Sequence, residues 1–362
     1  MPKPVPKPTV HYDYMMGSMP RWREAILSAL KGHPDLLRME YLAMAGWAAS
    51  ACHLLRSCYD YAKSGQQVFC VGPRLQEMLH LTDLSVVPEV FLEVPFQCFY
   101  VALPECGWSI WGGEVTQWHP VTGAYVSRVG PVFTFVLWGK ENSRSTCVGD
   151  DATYWIQVNL EEAQGEKGSL DLKSLLRRQL NDIRRDHSDL LAPKAKTGPV
   201  HERHTGSVLS VLRVLFNLVL YLNSSDPEKT AAPRNNKSQR EELKKKLKRA
   251  KSASKRRKYQ NRLSELSEAQ VVWIGRSIEE GKIPNRTTKT GQSHKGRPVK
   301  PHWRKGHFHS YWVGPRKDAE GNRQKGDRQV LRWVAPVFVG DMASLVAARG
   351  RIFMFAEDHK ES

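Results

Sequence analysis

Residues 131–139 read PVFTFVLWG and residues 153–160 read TYWIQVNL. Both runs are short, rich in aromatic and β-branched side chains, and bounded by Gly, Pro, Asn or Asp. That is the signature of strands rather than helices. Further such runs lie upstream: WSIWG (108–112), AYVSRV (124–129), Phe99, Val101 and Leu103 in alternation, and Val90, Leu92 and Val94 alternating with Glu and Pro. Five or six short β-rich runs between about 86 and 160 predict an antiparallel sheet or a partial barrel.

Helical periodicity takes over on both sides of this block. Helices are expected over 20–31 and 35–63, separated by the Gly32-His33-Pro34-Asp35 break, because Pro is tolerated only at a helix start. A third, over 170–191, carries Leu172, Leu175, Leu176, Leu180 and Ile183 on one stripe. Val208–Leu222 is apolar nearly all round, which marks a core helix. With Arg213 and Asn217 inside 15 residues, it is too short and too polar for a hydrocarbon layer of about 30 Å. The predicted fold class is α+β: a helical N-terminal part, a central antiparallel β-sheet or partial barrel, a C-terminal β-hairpin and a basic flexible insertion. The chain divides into an extended arm (1–19), a helical region (20–85), a β-rich core with packing helices (86–222), a basic insertion or linker (223–262), a C-terminal hairpin region (263–340) and a tail (341–362).

Charge points to the partner. The 362 residues carry 55 Lys and Arg against 37 Asp and Glu, a formal net charge of +18. Between Arg234 and Arg262 stand fourteen Lys and Arg and two Glu, so two thirds of the excess lies in 29 residues. Such a run is either a solvated linker or a polyanion-binding segment. Here the remainder is also basic, which favours binding RNA or a ribosomal surface by counterion release. Lys244, Lys245, Lys246, Arg256 and Arg257 are the candidate contacts. None of the six Cys form a CxxC pair, and most lie in apolar runs. Reduced, buried thiols of a protein in the cytoplasm are expected, with zinc the lesser alternative. No apolar stretch of a secretory signal opens the chain, and no membrane partner is expected. The sequence holds no Walker A loop, GxGxxG or HExxH, so no cofactor is predicted.

Residues 300–312 read KPHWRKGHFHSYW, and QVLRWVAPVFVG follows at 329–340. Together they predict a β-hairpin with a long loop. Alternation puts His307, His309 and Tyr311 on one face, and Phe308 and Trp312 on the other. Gly306 is expected to be a bulge that re-aims His302 and Arg304, and Trp312 and Trp333 are expected in the core. Three uses compete. In RNA contact, Lys300, Arg304, Lys305, Arg316 and Lys317 hold phosphates, while Trp303, Phe308, Tyr311 or Trp312 stack on bases at about 1–3 kcal/mol each. In metal-free RNA cleavage, His302, His307 and His309 supply the general base and acid, and a cation steadies the charged phosphorane. An HxH metal site is a variant, with no carboxylate nearby. In the third, these His and aromatics simply pack and hydrogen-bond in the core.

The same hairpin resembles the C-terminal signature of an anti-CRISPR family of type V-A systems, the second named of that type. The matching positions are Pro301, His302, Arg304, Gly306, His307, His309, Tyr311, Trp312, Arg332, Trp333, Val337, Phe338 and Val339. PEVFLEVPFQCFYVAL (88–103) and the order of the parts are also similar. The resemblance implies a protein that lowers production of the CRISPR effector during translation. It would recognise the nascent N-terminal peptide, act near the ribosome in the cytoplasm of a bacterial host, and cause loss of the mRNA, either directly or through a host nuclease. The 229–262 insertion, the 314–328 loop and the tail after Gly340 are departures that leave the target peptide open.

Overall fold

The computed structural model describes residues 12–13, 16, 20–32, 49–84, 87–104, 107–112, 117–139, 152–163, 169–186, 199–231, 236–250, 252, 254–256, 259, 270–280, 302–304, 306–315 and 328–339. Its strands are β1 (Gln67–Val71), β2 (Val87–Pro88), β3 (Cys98–Ala102), β4 (Ser109–Gly112), β5 (Gln117–Val129), β6 (Val132–Gly139), β7 (Ala152–Asn159), β8 (Ser169–Leu170), β9 (Lys229–Ala231), β10 (Gln270–Ile274), β11 (His302–Arg304), β12 (His307–Val313), β13 (Arg328–Val334) and β14 (Val337–Val339). The helices are α1 (Pro20–Leu30), α2 (Ala49–Lys63), α3 (Pro73–His80), α4 (Leu172–Asp186), α5 (Pro199–Leu222), α6 (Asn236–Arg249) and α7 (Arg276–Glu279). The fold mixes helix and sheet: helices lead, a sheet forms the centre, and a two-stranded hairpin follows near the C-terminal end.

Eight strands make the central sheet, in the order β7-β6-β5-β3-β1-β10-β9, with β4 paired to the first residues of β5. From β3 to β7 every pairing is antiparallel, as the period-two runs predict. The sheet is nevertheless mixed, because β1 is parallel to both of its neighbours, β3 and β10. β1 lies inside the stretch read as helical. All five of its residues, QVFCV, are buried, and after Gln67 this central parallel strand, covered on both faces, has no polar position to reveal its period. β10 arises from the VVWIG run. Its neighbour β9 is antiparallel to it, so residues 232–269, including most of the basic run, form an excursion between two adjacent strands.

Alternation sorts the sheet's side chains onto two faces. Phe69, Phe99, Val101, Val126, Phe133, Phe135 and Ile156 meet α3, α4 and α5. Val68, Cys70, Cys98, Tyr100, Tyr125, Val136 and Trp138 meet α1 and α2. Cys52, Cys58, Cys70 and Cys98 are free and buried in this second layer, as expected of apolar-run thiols. Burial pushes the Cys58 and Cys70 thiols up to about 12, which keeps them protonated and unreactive.

The central helix, α5, runs for 24 residues, longer than its apolar part suggested, since its first turns hold the polar HERHTGS. By length and composition it could cross a membrane, but 78% of its most apolar window is buried inside the protein. Phe216 sits on the sheet with ring centroids 5.3 Å from Phe133 and 5.1 Å from Phe135.

Candidate nucleic-acid interface

The predicted hairpin is a separate two-stranded unit in which β12 pairs antiparallel with β13. β11 and β14 continue it beyond a break at Gly306 and residues 335–336, so that His302 and Arg304 lie opposite Val339 and Val337. The break has a local cause. Pro336 has no N–H to give to a ladder, and Gly306 approaches the body of the protein instead. The Gly306 carbonyl accepts the Asp83 N–H at 2.7 Å. A Cβ on Gly306 would stand 2.6 Å from Thr82 Oγ1 and 2.7 Å from Pro336 Cδ. Only glycine fits there.

Thr82, just past the end of α3, is the anchor. Its Oγ1 accepts the Trp333 indole N–H at 3.2 Å and donates to the Met78 carbonyl at 2.8 Å. Its carbonyl accepts Arg213 Nε and Nη2 at 3.2 and 3.0 Å, and Asn217 Nδ2 at 3.1 Å. Asn217 also reaches the Leu79 carbonyl at 2.7 Å. Arg213 and Asn217, one turn apart on α5, thus hold the C-terminal end of α3, which in turn holds the hairpin. Burial lowers the Arg213 pKa, and the Asp83 carboxylate opposes that drop. Beside them His80 packs 5.1 Å from Trp108, and its buried Nδ1 finds no hydrogen-bond partner among the described residues. Burial, then the Arg213 charge, pulls His80 from 6.5 to about 4, so it stays neutral.

Register divides the hairpin into two faces. Phe308, Leu331 and Trp333 face inward: Leu331 is 2% exposed, and Trp333 meets Tyr221 edge-on at 5.0 Å. The Leu331 carbonyl also accepts the Ser225 N–H at 2.7 Å. His307, His309, Tyr311, Arg328, Val330 and Arg332 share the opposite, outer face, with His309 directly across from Arg332 and Tyr311 across from Val330. His307, His309, Arg328 and Arg332 are exposed. The alternation therefore places His307, His309 and Tyr311 as expected. Trp312 does not fit the expectation of a core residue. It lies on the inward face, paired with Gln329 near the loop end, and is 46% exposed. Phe308, weighed as a stacking surface, packs against the core instead.

Of the other candidate contacts, Lys244, Lys245 and Lys246 are exposed on α6, where Lys246 pairs with Glu242, and Arg256 is exposed. Arg256 donates to the Ala250 carbonyl at 2.9 Å. Lys300, Pro301, Lys305, Arg316, Lys317 and Arg257 lie outside the described residues, as do the 1–11 part of the arm and the 341–362 tail. No group of three potential metal ligands occurs among the described residues. Sequence reasoning overlooked Arg328, which no local pattern distinguishes. It overlooked Thr82 as well, whose importance lies wholly in contacts far along the chain. Arg213 and Asn217 did carry a signal: polar residues four apart in an otherwise apolar helix need buried partners.

Comparison with known proteins bears on this arrangement. A protein-family model described as the anti-CRISPR type V subtype A2 family, AcrVA2-like, matches residues 69–341, which spans the sheet, α5 and the hairpin. No curated protein matches the chain. A solved crystal structure of AcrVA2 is similar at 13% identity and a TM-score of 0.40, over 92% of this chain and 100% of that one.

Proposed function

Since the chain belongs to the AcrVA2-like family of type V subtype A2 anti-CRISPRs, we propose that it suppresses a CRISPR effector by engaging the nascent N-terminal peptide at the ribosome and causing decay of the mRNA being translated. The anti-CRISPR role is that of the family. The translational route is our reading, and the observation that carries it is the placement of charge. α6 leaves the sheet between β9 and β10 with Lys244, Lys245, Lys246, Lys248 and Arg249 all exposed. Cations on an element that buries little serve no packing purpose, and they suit a ribosomal or messenger polyanion. The partners are then RNA or ribosome, the nascent peptide and a recruited host nuclease, all in the bacterial cytoplasm and with no cofactor.

The test is a reporter fused to the first codons of a type V-A effector, expressed with and without this protein. Reporter mRNA should fall only when those codons are present and translated. Equal mRNA under both conditions rejects the translational route and leaves the family's anti-CRISPR role to another mechanism.

A second reading, a metal-independent ribonuclease, is favoured by one observation. His307 and His309 share an exposed face about 6.8 Å apart along the strand, with Arg332 across from His309. A base, an acid and a cation could flank one phosphate there. Purified protein with naked RNA decides: cleavage with a bell-shaped pH profile, lost in His307→Ala, supports the enzyme, and intact RNA rejects it.

A further inference from the structure

The outer face of the β12–β13 hairpin carries two flat rings in a specific relation. The His309 and Tyr311 rings lie 20° from parallel with centroids 6.3 Å apart. Two successive stacking intervals of about 3.4 Å span about 6.8 Å, so the centroid spacing is within about half an ångström of that between two rings flanking one flat base. The two side chains hold this relation because they are alternate residues on one regular strand, and their backbone is fixed through the inward-facing Phe308, Leu331 and Trp333. Val330, opposite Tyr311, adds apolar surface beside the gap.

Charge decides which flat group belongs there. Arg332 stands across from His309 and Arg328 across from Val313, both exposed on the same face. No Asp or Glu occurs at 306–315 or 328–336. A polyanion that also presents a ring is a nucleic acid, and only a single strand has bases free to leave their own stack.

We infer that His309 and Tyr311 form a slot for one unpaired base of single-stranded RNA, with Arg332 and Arg328 on its phosphates. This deepens the proposed function and rests on it for the identity of the strand as the translated message. The slot differs from the charge of α6 in kind, because α6 grips any polyanion whereas the slot requires a base.

That difference gives the experiment. Fluorescence anisotropy with a labelled 12-nucleotide oligouridylate, the same oligomer without bases and a 12-base-pair RNA duplex is measured at one fixed ionic strength. Tyr311→Ala should weaken the oligouridylate by about 5- to 150-fold, the range for one lost stacked base, and leave the abasic oligomer and the duplex unchanged. Tyr311→Phe should bind within about twofold of the native chain, since the ring is kept, and so guards against misfolding. Arg332→Gln should weaken oligouridylate and abasic oligomer together. The slot is overturned if Tyr311→Ala binds oligouridylate as the native chain does, or if it weakens the abasic oligomer equally. It is likewise overturned if the variant loses the effector's N-terminal peptide while RNA binding stays constant, since the slot would then serve a peptide. The two proposals fail separately. Reporter mRNA that still falls while Tyr311 proves irrelevant to RNA sinks the slot alone, and base-dependent binding with unchanged reporter mRNA sinks the translational route alone.

Discussion

Thr82 shows how much of the hairpin's position hangs on one short side chain. Its hydroxyl is the acceptor for the Trp333 indole, and its carbonyl collects Arg213 and Asn217. Thr82→Val keeps the shape but leaves the Trp333 N–H without its acceptor, a loss of about 1–3 kcal/mol. Gly306→Ala forces a methyl against Thr82 Oγ1 and Pro336, an overpacking cost of about 1–3 kcal/mol. Both variants should lower the urea midpoint, and because they share Thr82 the double variant should lose less than the sum. His80 gives this corner a pH dependence. Its folded pKa of about 4 lies below the unfolded 6.5, so between those values the unfolded chain takes a proton that the native one refuses. The stability is therefore complete above about pH 6.5 and falls as pH drops toward 4, by at most about 3 kcal/mol. Urea midpoints at pH 4.5 and pH 7 should differ less in His80→Gln than in the native chain.

At the scale of elements, what the sequence disclosed depended on whether an element has two environments. β3, β5, β6 and β7 each show a measure of alternation, and their antiparallel pairing could be anticipated from it. β1 has only one environment, buried on both sides, and its four-residue apolar run VFCV cannot be told from a turn of buried helix by period alone. α5 is legible as a core helix because its apolar run, broken only at Arg213 and Asn217, is too long for a strand. Its burial makes a sharp prediction. Phe216 is fully buried and touches Phe133 and Phe135, so Phe216→Ala should cost about 3–5 kcal/mol. Leu209, only partly buried on the same helix, should cost distinctly less when cut to Ala. Thermal melts of the two variants check the ranking, and equal losses would mean that the helix does not pack as described. The hairpin was legible as strands, faces and residue types, yet its docking was not. Thr82 and Trp333 lie 251 positions apart, and no local period encodes a contact at that range.

For the molecule as a whole, the central question is whether stability and polyanion binding reside in separable parts. The sheet's far edge suggests that they do. β9 and β10 are antiparallel neighbours paired from Lys229–Ile274 to Ala231–Val272, so the chain between them could be short without disturbing either strand. What lies between, with fourteen Lys and Arg against four Glu, carries ten of the eighteen net positive charges, and the described side chains of α6 are mostly exposed. Replacing residues 234–269 by an Asn-Gly turn, which suits a two-residue antiparallel connection, should therefore leave the melting temperature within about 3 °C, a change of roughly 1 kcal/mol for a protein of this size. The same deletion should flatten the dependence of RNA affinity on salt, since each phosphate contact removed takes about 0.7 from the slope of log K against log salt for a single strand. The slot at His309 and Tyr311 would remain, so the shortened chain should still prefer oligouridylate to its abasic counterpart, although both bind more weakly. Titrations at 50, 100 and 200 mM salt separate the contributions. If the slope is unchanged by the deletion, the charge on α6 does not touch RNA. A collapsed melting temperature would instead make the excursion part of the fold, because no surface helix contributing only charge can hold a sheet together.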